Sequence, residues 1–386
     1  MKLRVPDYYK DFHCLASECK DSCCIGWEID IDEETLEYYE SVPGAFGKRL
    51  RENIVDDGED TSFALRNGRC AFLNDKNLCD ICIELGETSL CEICLEYPRF
   101  TVEFGSTREK CLGLSCEEAG RLIFEKEEPV TFQETYMEEQ FAWQEEEEEY
   151  EDGEDEMDDT EYPYLEKVRN CTLEILQNRE LSIEKRMEMS LLFAEDIQHV
   201  INERNFVQFD EIIDKYRNQP SVNGLEIEAT QSLEEQFALY QKRMDVYETL
   251  ELLDEEWDQV FKRMKSYYQS PKQYHKAKKV LYEHYKRREI EYEHLLVYFI
   301  FRYGMKAVYD YNFLEKVKFA VTSFLVIRDM DAERFTYENS FQLKQRIDVA
   351  RIYSKEVEHS EENLEILAEA FVFEPAFETE SLIIAL

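Results

Sequence analysis

Eleven of the twelve cysteines lie between Cys14 and Cys116, and only Cys171 lies outside that interval. In order they are Cys14, Cys19, Cys23, Cys24, Cys70, Cys79, Cys82, Cys91, Cys94, Cys111 and Cys116. Cys79-Asp80-Ile81-Cys82 and Cys91-Glu92-Ile93-Cys94 each place two residues between thiols, so two thiolates can converge on one metal from a single turn. Cys23 and Cys24 are adjacent. Neighbouring side chains do not easily face one centre, so this pair either serves two centres or supplies one ligand. Soft thiolates select zinc or iron–sulfur clusters over magnesium or calcium. At four ligands per centre, eleven thiols fill two centres with spares, and spacing alone does not separate zinc from iron–sulfur. Free buried cysteines acting as small hydrophobes account for one or two positions, not for eleven.

The rest of the composition narrows the setting. The chain has 386 residues, 44% hydrophobic and 34% charged, with a formal net charge of -42. A surface of that sign repels a phosphate backbone, which argues against nucleic acid as a partner. The one marked basic cluster, residues 272–288, is interrupted by Glu283. The start has no apolar signal stretch, and the longest apolar run, Leu295 to Phe301, is far short of the roughly 18 residues a membrane span needs. The expectation is a cytoplasmic protein without membrane insertion. In that compartment thiols stay reduced, so many cysteines imply metal or redox chemistry rather than disulfides.

Several segments carry a family resemblance. Phe12-His13-Cys14-Leu15-Ala16-Ser17-Glu18-Cys19-Lys20-Asp21-Ser22-Cys23-Cys24-Ile25-Gly26-Trp27 resembles the cysteine-cluster opening of bacterial flagellin lysine-N-methylases, the FliB family. It is also similar to the wider zinc- or iron-chelating cysteine-cluster (YkgJ-type) proteins. Cys70-Ala71-Phe72-Leu73 with Cys79 resembles the family's Cys-Pro-Phe-Leu segment and its next cysteine. Cys94-Leu95-Glu96-Tyr97-Pro98-Arg99 resembles its Cys-x-x-Tyr/Phe-Pro-Arg motif, and Leu114-Ser115-Cys116-Glu117-Glu118 its Leu-Ser-Cys-Pro-Glu motif. Tyr353-Ser354-Lys355-Glu356-Val357-Glu358-His359-Ser360 with Asn363 is similar to its closing segment. The resemblance implies Cys14, Cys19, Cys23, Cys24, Cys70, Cys79, Cys94 and Cys116 as metal ligands. It also implies a [4Fe-4S] cluster, with zinc as the alternative or a second centre, and methyl transfer from S-adenosylmethionine to surface lysines of flagellin. Cys82, Cys91 and Cys111 depart from the family pattern and offer substitute ligands. Ala71 and Glu117 stand where the family usually has proline.

The residues by themselves do not spell out a methyltransferase. No Gly-x-Gly occurs, so the glycine-rich turn of a Rossmann-type cofactor site is absent from the sequence. Neither the strand–helix alternation of a barrel-type radical enzyme nor its three-cysteine motif occurs. Cys19 and Cys23 have the first spacing of that motif, but the next cysteine follows immediately. Methylation requires a deprotonated lysine amine and near-linear approach to the methyl group. A cluster holding the cofactor at an open iron would take three cysteine ligands instead of four. Arg99 is a candidate partner for the cofactor's carboxylate or for a structural glutamate. Trp27 is a candidate stacking face for adenine or a core ring behind the cysteine loop. His13 is a candidate ligand or base, although a lone histidine is more often neither. The catalytic residues stay unassigned.

The elements that must position these groups fall into three regions. Residues 1–130 read as a small cysteine-rich, metal-binding module with short strands, at residues 27–31 and 99–105, and helices at 33–39 and 117–124. Residues 131–161 read as an acidic linker: residues 133–161 hold 16 acidic residues and no Lys or Arg. Its charge suits attraction of a lysine-bearing substrate or, more simply, a solvated spacer. Residues 162–386 read as an α-helical bundle, with periodic stretches at 173–202, 233–264 and 274–303, a loop marked by Pro220 and Gly224, a buried helix at 313–327, and a last helix at 340–373 broken near Glu361. The fold class expected is therefore mainly α. Two functional readings follow: the flagellin methylase, and a non-catalytic zinc- or iron-chelating protein whose cysteine module is a structural or interaction unit.

Overall fold

A computed structural model describes residues 1–56, 58, 60–136, 161–218 and 232–386. The acidic run at 145–159 and the Pro220–Gly224 loop lie outside the described residues. The class is mainly α, as expected: a region with short strands precedes a body of packed helices.

The first region contains strands β1 (Lys2–Pro6), β2 (Ile54–Asp56), β3 (Thr61–Phe63), β4 (Leu65–Arg66), β5 (Arg69–Cys70), β6 (Arg99–Phe104), β7 (Thr107–Leu112) and β8 (Phe132–Tyr136). Among them lie helices α1 (Glu33–Ser41), α2 (Gly44–Arg51), α3 (Asp80–Leu85), α4 (Glu92–Glu96) and α5 (Glu117–Phe124). The start of α1 follows from Asp32, whose carboxylate accepts the Thr35 amide at 2.9 Å. The strand expected at 99–105 is β6, which turns back into β7 at Gly105. That glycine has φ +51°, and a Cβ there would lie 2.5 Å from the Tyr162 ring, so the tight turn takes no larger residue. The sheet order is β6-β7-β1-β8, with β1 parallel to β7 and antiparallel to β8. Thus Phe132–Tyr136, within the stretch read as linker, is a paired strand. No strand forms at residues 27–31. Asp30 makes only an isolated bridge to Ser62, and the Ile29 carbonyl accepts the Phe63 amide. The alternation there turns Ile29 and Ile31 inward, but the segment has no continuous partner edge.

The helical body comprises α6 (Tyr162–Leu176), α7 (Ile183–Asn202), α8 (Phe209–Asn218), α9 (Leu233–Tyr247), α10 (Glu255–Tyr267) and α11 (Pro271–Tyr285). It continues with α12 (Ile290–Tyr303), α13 (Ala307–Asp310), α14 (Phe313–Glu338), α15 (Leu343–Val357), α16 (Glu361–Phe373) and α17 (Thr379–Ala385). The stretches expected at 173–202 and 233–264 are each split into two helices. Ser182 and Asp254 accept amides of a new first turn, from Lys185 at 3.3 Å and from Glu256 at 2.7 Å. Apolar periodicity survives a short interhelical turn, which is why the breaks do not show in it. The break near Glu361 is where Ser360 caps α16, accepting the Asn363 amide at 3.1 Å. Helix α14 is buried on nearly all sides, as its apolar run requires, and it buries Asp329 and Asp331 as well. Each is paired, Asp329 with Arg243 at 2.8 Å and Asp331 with Arg346, as buried charge demands.

Two apolar cores result. The larger joins Phe104, Leu112, Leu114 and Ile123 to the helices from α6 onward. The smaller gathers Ile29, Tyr39, Leu50, Phe63, Phe72 and Ile81 with the Cys70 and Cys91 side chains. The sheet and α5 therefore share the core of the helical body, while α1 to α4 enclose their own. Among the described residues no helix is long and apolar enough to cross a membrane.

Candidate metal centre

The eight cysteines expected as ligands do not meet at one place. Cys14, Cys19, Cys23 and Cys116 form one set: Cys19 and Cys23 each lie near both Cys14 and Cys116. Cys116 stands at the N-cap position of α5, and the Lys20 amide donates to Glu117 Oε2 at 2.9 Å, pinning the cysteine loop against that helix. Burial pushes the Cys19 thiol up to about 12. It also pushes Cys116 up to about 11, with the Ala119 and Glu118 amides pulling the other way.

Cys24 turns toward a second set, with Cys70, Cys79, Cys91 and Cys94. The Cys70 amide donates to the Cys24 carbonyl at 2.9 Å, and Leu73 bridges to Cys79. Cys79 and Cys91 occupy the N-cap positions of α3 and α4. Cys70 lies near Cys24, Cys79 and Cys91, and Cys94 lies near Cys91 and Cys24. The adjacent pair is thus the divide between the sets. The two thiols interact: Cys23 lowers Cys24 to about 7 against its burial, with help from Ser22 and Arg69, and Cys23 itself is raised. Cys91 and Cys94 behave alike, Cys91 lowered by the Cys94 thiol and Cys94 raised.

Cys91, a departure from the family pattern, therefore belongs with the second set. Cys82 is exposed on α3, while Cys111 is buried beside Arg302 and Glu358, apart from both sets. Four thiolates around one zinc, bonded at about 2.3 Å, sit only about 3.8 Å apart. Among the described residues no three cysteine sulfurs lie within 4.8 Å of one another.

Where the cysteine loop meets the helices, Trp27 is held from several sides. Its indole N–H donates to the Cys23 carbonyl at 2.7 Å, its ring lies 5.1 Å from His359 and 6.0 Å from Tyr97, and Lys355 Nζ is 5.0 Å from it. His359 Nε2 is 2.8 Å from Ser115 Oγ, which in turn is 3.2 Å from the Tyr97 hydroxyl. Burial, with the charges of Arg302 and Lys355, pushes His359 down to about 3, so the imidazole is neutral near pH 7. Arg99 stacks over Phe12 at 5.1 Å. His13 is exposed, its Nδ1 2.9 Å from the Asp11 carbonyl.

Sequence reasoning had not singled out the charged cluster beneath this junction. Lys355 pairs with Asp254 at 2.9 Å and Asp21 at 3.3 Å, and Arg351 with Glu256 at 2.5 Å and Asp348 at 3.1 Å. Asp21, Asp254 and Glu256 converge within 4.8 Å, but the lysine and arginine neutralise them, so the trio is an ion-pair cluster. Part of the signal lay in the closing segment, where Lys355 pairs with Asp21 and Asp254, Glu358 with Arg302, and His359 meets Ser115. Beside the first thiol set, Lys20, Glu117, Arg121, Lys344, Ile347 and Asp348 line a cleft of 360 Å³ between the cysteine loop, α5 and α15. Burial opposes ionisation of Asp348, but Arg334 and Arg351 outweigh it and hold the carboxyl at about 2.

Comparison with known proteins bears on the family. The flagellar biosynthetic protein FliU of Salmonella muenchen is 26% identical over 120 residues, 29% of this chain and 71% of that protein. The lysine-N-methylases of Salmonella choleraesuis (strain SC-B67) and Salmonella typhimurium (strain LT2) are each 25% identical, over 144 and 145 residues. Those alignments cover 35% of this chain and 36% of each relative, so the chain matches little more than a third of the length of those enzymes. No solved structure matches. The family described as the FliB lysine N-methylase C-terminal domain matches residues 169–385, from within α6 to the end of α17. With more than half of its length so matched, the chain belongs to the FliB lysine N-methylase family.

Proposed function

We propose that this protein is a lysine N-methylase that transfers a methyl group from S-adenosylmethionine to surface lysines of flagellin, and that it depends on an iron–sulfur cluster held by Cys14, Cys19, Cys23 and Cys116. The observation that carries the reading is the position of this thiol set. Cys116 is the N-cap of α5, and Lys20 and Glu117, the chain neighbours of Cys19 and Cys116, line the 360 Å³ cleft together with α15, which lies within the family-matched region.

The cleft suits the amino-acid end of the cofactor. Lys20 and Arg121 line it as cations and Asp348 as an anion; Lys20 pairs with Asp348 at 3.3 Å and Arg121 with Glu118 at 2.7 Å, so the cofactor's carboxylate and ammonium would exchange with these ion pairs. With only three of the four thiols bound, a cluster would leave one iron open to those same two groups. The chain's own residues would orient the cofactor, while the lysine substrate must lose its proton and approach in line with the methyl–sulfur bond. Flagellin as substrate rests on the family and on the flagellar name of the FliU relative. A cytoplasmic site would let flagellin be modified before export. The non-catalytic chelator is the less supported reading, because the matched region is that of a methylase.

The test is anaerobic purification with iron and sulfide analysis, then incubation with flagellin and methyl-labelled S-adenosylmethionine. Label in flagellin lysines, lost in Cys14→Ser, is expected. Fully loaded protein that transfers no label would sink the proposal.

A further inference from the structure

We infer that the chain carries a second thiolate-held metal centre of the iron–sulfur type, built from Cys24, Cys70, Cys79 and one thiol of the Cys91–Cys94 pair, separate from the set at Cys14, Cys19, Cys23 and Cys116. The inference rests on the cluster reading of the first set only in taking that set as already occupied.

The argument starts from the division at the Cys23–Cys24 peptide. Cys116, in the first set, belongs to the larger core, while Cys70 and Cys91 belong to the smaller core, with Cys24, Cys79 and Cys94 packed against it. The second set thus sits with the smaller core and meets the first where the Cys23 and Cys24 thiols touch. Backbone bonds then gather the second set without help from the first. The Cys70 amide reaches the Cys24 carbonyl at 2.9 Å, the Asp80 amide beside Cys79 reaches the Phe72 carbonyl at 2.8 Å, and Tyr39 donates to the Ser89 carbonyl at 2.7 Å just before Cys91.

The smaller core also needs such a centre. Its strands are two hairpins of two and three residues per strand, and its helices α3 and α4 have six and five residues. Among the described residues eight apolar ones other than cysteine are buried in it: Ile29, Ile31, Tyr39, Val42, Leu50, Phe63, Phe72 and Ile81. A unit with so little apolar burial and such short elements is where a metal characteristically completes the fold. Five thiols collected in one small core, two of them fully or almost fully buried, are far more than packing requires. Soft thiolates suit iron–sulfur or zinc, and metal analysis separates the two. Cys91 and Cys94 are in mutual contact, so either is placed to supply the fourth ligand. Because Cys23 immediately precedes Cys24, whose carbonyl is bonded to β5, the second centre would hold the loop that presents Cys23 to the first.

The experiment uses the full-length protein purified without oxygen. Iron, acid-labile sulfide and zinc are measured on one sample, and the reduced protein is examined by electron paramagnetic resonance with spin quantitation. Two cubane clusters predict about eight irons and eight sulfides per chain and about two spins. Cys70→Ser/Cys79→Ser should remove about half the iron and one spin signal, and Cys14→Ser/Cys116→Ser the other half and the other signal. About four irons and one spin in the wild type, with iron lost only in the Cys14/Cys116 variant, would overturn the second centre and leave the methylase reading intact. One zinc per chain beside four irons would overturn its iron–sulfur nature. Iron lost only in the Cys70/Cys79 variant would support this centre and remove the first one. The wild-type spin count decides the matter even if the Cys70/Cys79 variant fails to fold.

Discussion

His359 Nε2 lies 2.8 Å from Ser115 Oγ, across 244 residues of chain, and Ser115 immediately precedes Cys116. The end of α15 is thereby tied to a thiol of the first set. The same imidazole packs on Trp27 at 5.1 Å and near Phe100 at 5.9 Å, so a single side chain reaches both the cysteine loop and β6. His359→Ala removes a buried hydrogen bond and these ring contacts. It should destabilise the protein by about 1–3 kcal/mol, measured by urea unfolding, and lower the iron retained by the Cys14–Cys116 set. Unchanged stability and iron content would show that the junction does not depend on this residue.

The pH dependence has a definite sign. The folded state holds His359 at about 3, below the ordinary 6.5, so the unfolded chain binds the proton more tightly. The stability associated with His359 is fully present above pH 6.5 and is lost as pH falls from there toward 3. His359→Gln should therefore show a smaller loss of unfolding free energy between pH 7 and pH 4.5 than the wild type, with denaturant titrations at both pH values as the readout. Equal losses in the two proteins would contradict the assignment.

Arg302 and Glu358 form a buried ion pair, with Glu358 also accepting the Tyr298 and Tyr303 hydroxyls at 2.9 Å each. The Arg302 guanidinium covers the Phe100 ring at 3.3 Å. Glu358→Ala leaves that guanidinium buried without its partner and should cost about 3–5 kcal/mol. Arg302→Met combined with Glu358→Leu should recover much of the loss. A double-mutant cycle by chemical denaturation measures this, and additive losses would show that the pair is not coupled.

In the cleft, Asp348→Asn removes the proposed anion facing the cofactor's ammonium. The expected result is a rise of about tenfold in KM for S-adenosylmethionine, the equivalent of ~1.4 kcal/mol, with iron content and the cluster spectrum unchanged. A lowered kcat at constant KM would move the cofactor's amino group elsewhere.

Much of this protein was legible from residue order alone. The cysteine concentration, the mainly α class, the Asp32-capped start of α1, the β6 strand and the all-round burial of α14 follow from local rules of spacing, capping and hydrophobic pattern. What stayed hidden depends on contacts between distant residues. The parallel pairing of β1 with β7 joins Lys2 to Thr107, and nothing in either segment names its partner. The splits at Ser182 and Asp254 are invisible to a periodicity that runs through a short turn. Above all, the sequence supplied the thiols and the adjacent Cys23–Cys24 pair, whereas tertiary structure decided how they divide. Cys24 is drawn to Cys70 by a backbone bond, and Cys23 stays with Cys116 beside the helical body. Spacing limits which thiols can share a metal, but which ones do is set by the long-range packing that carries each loop to its core.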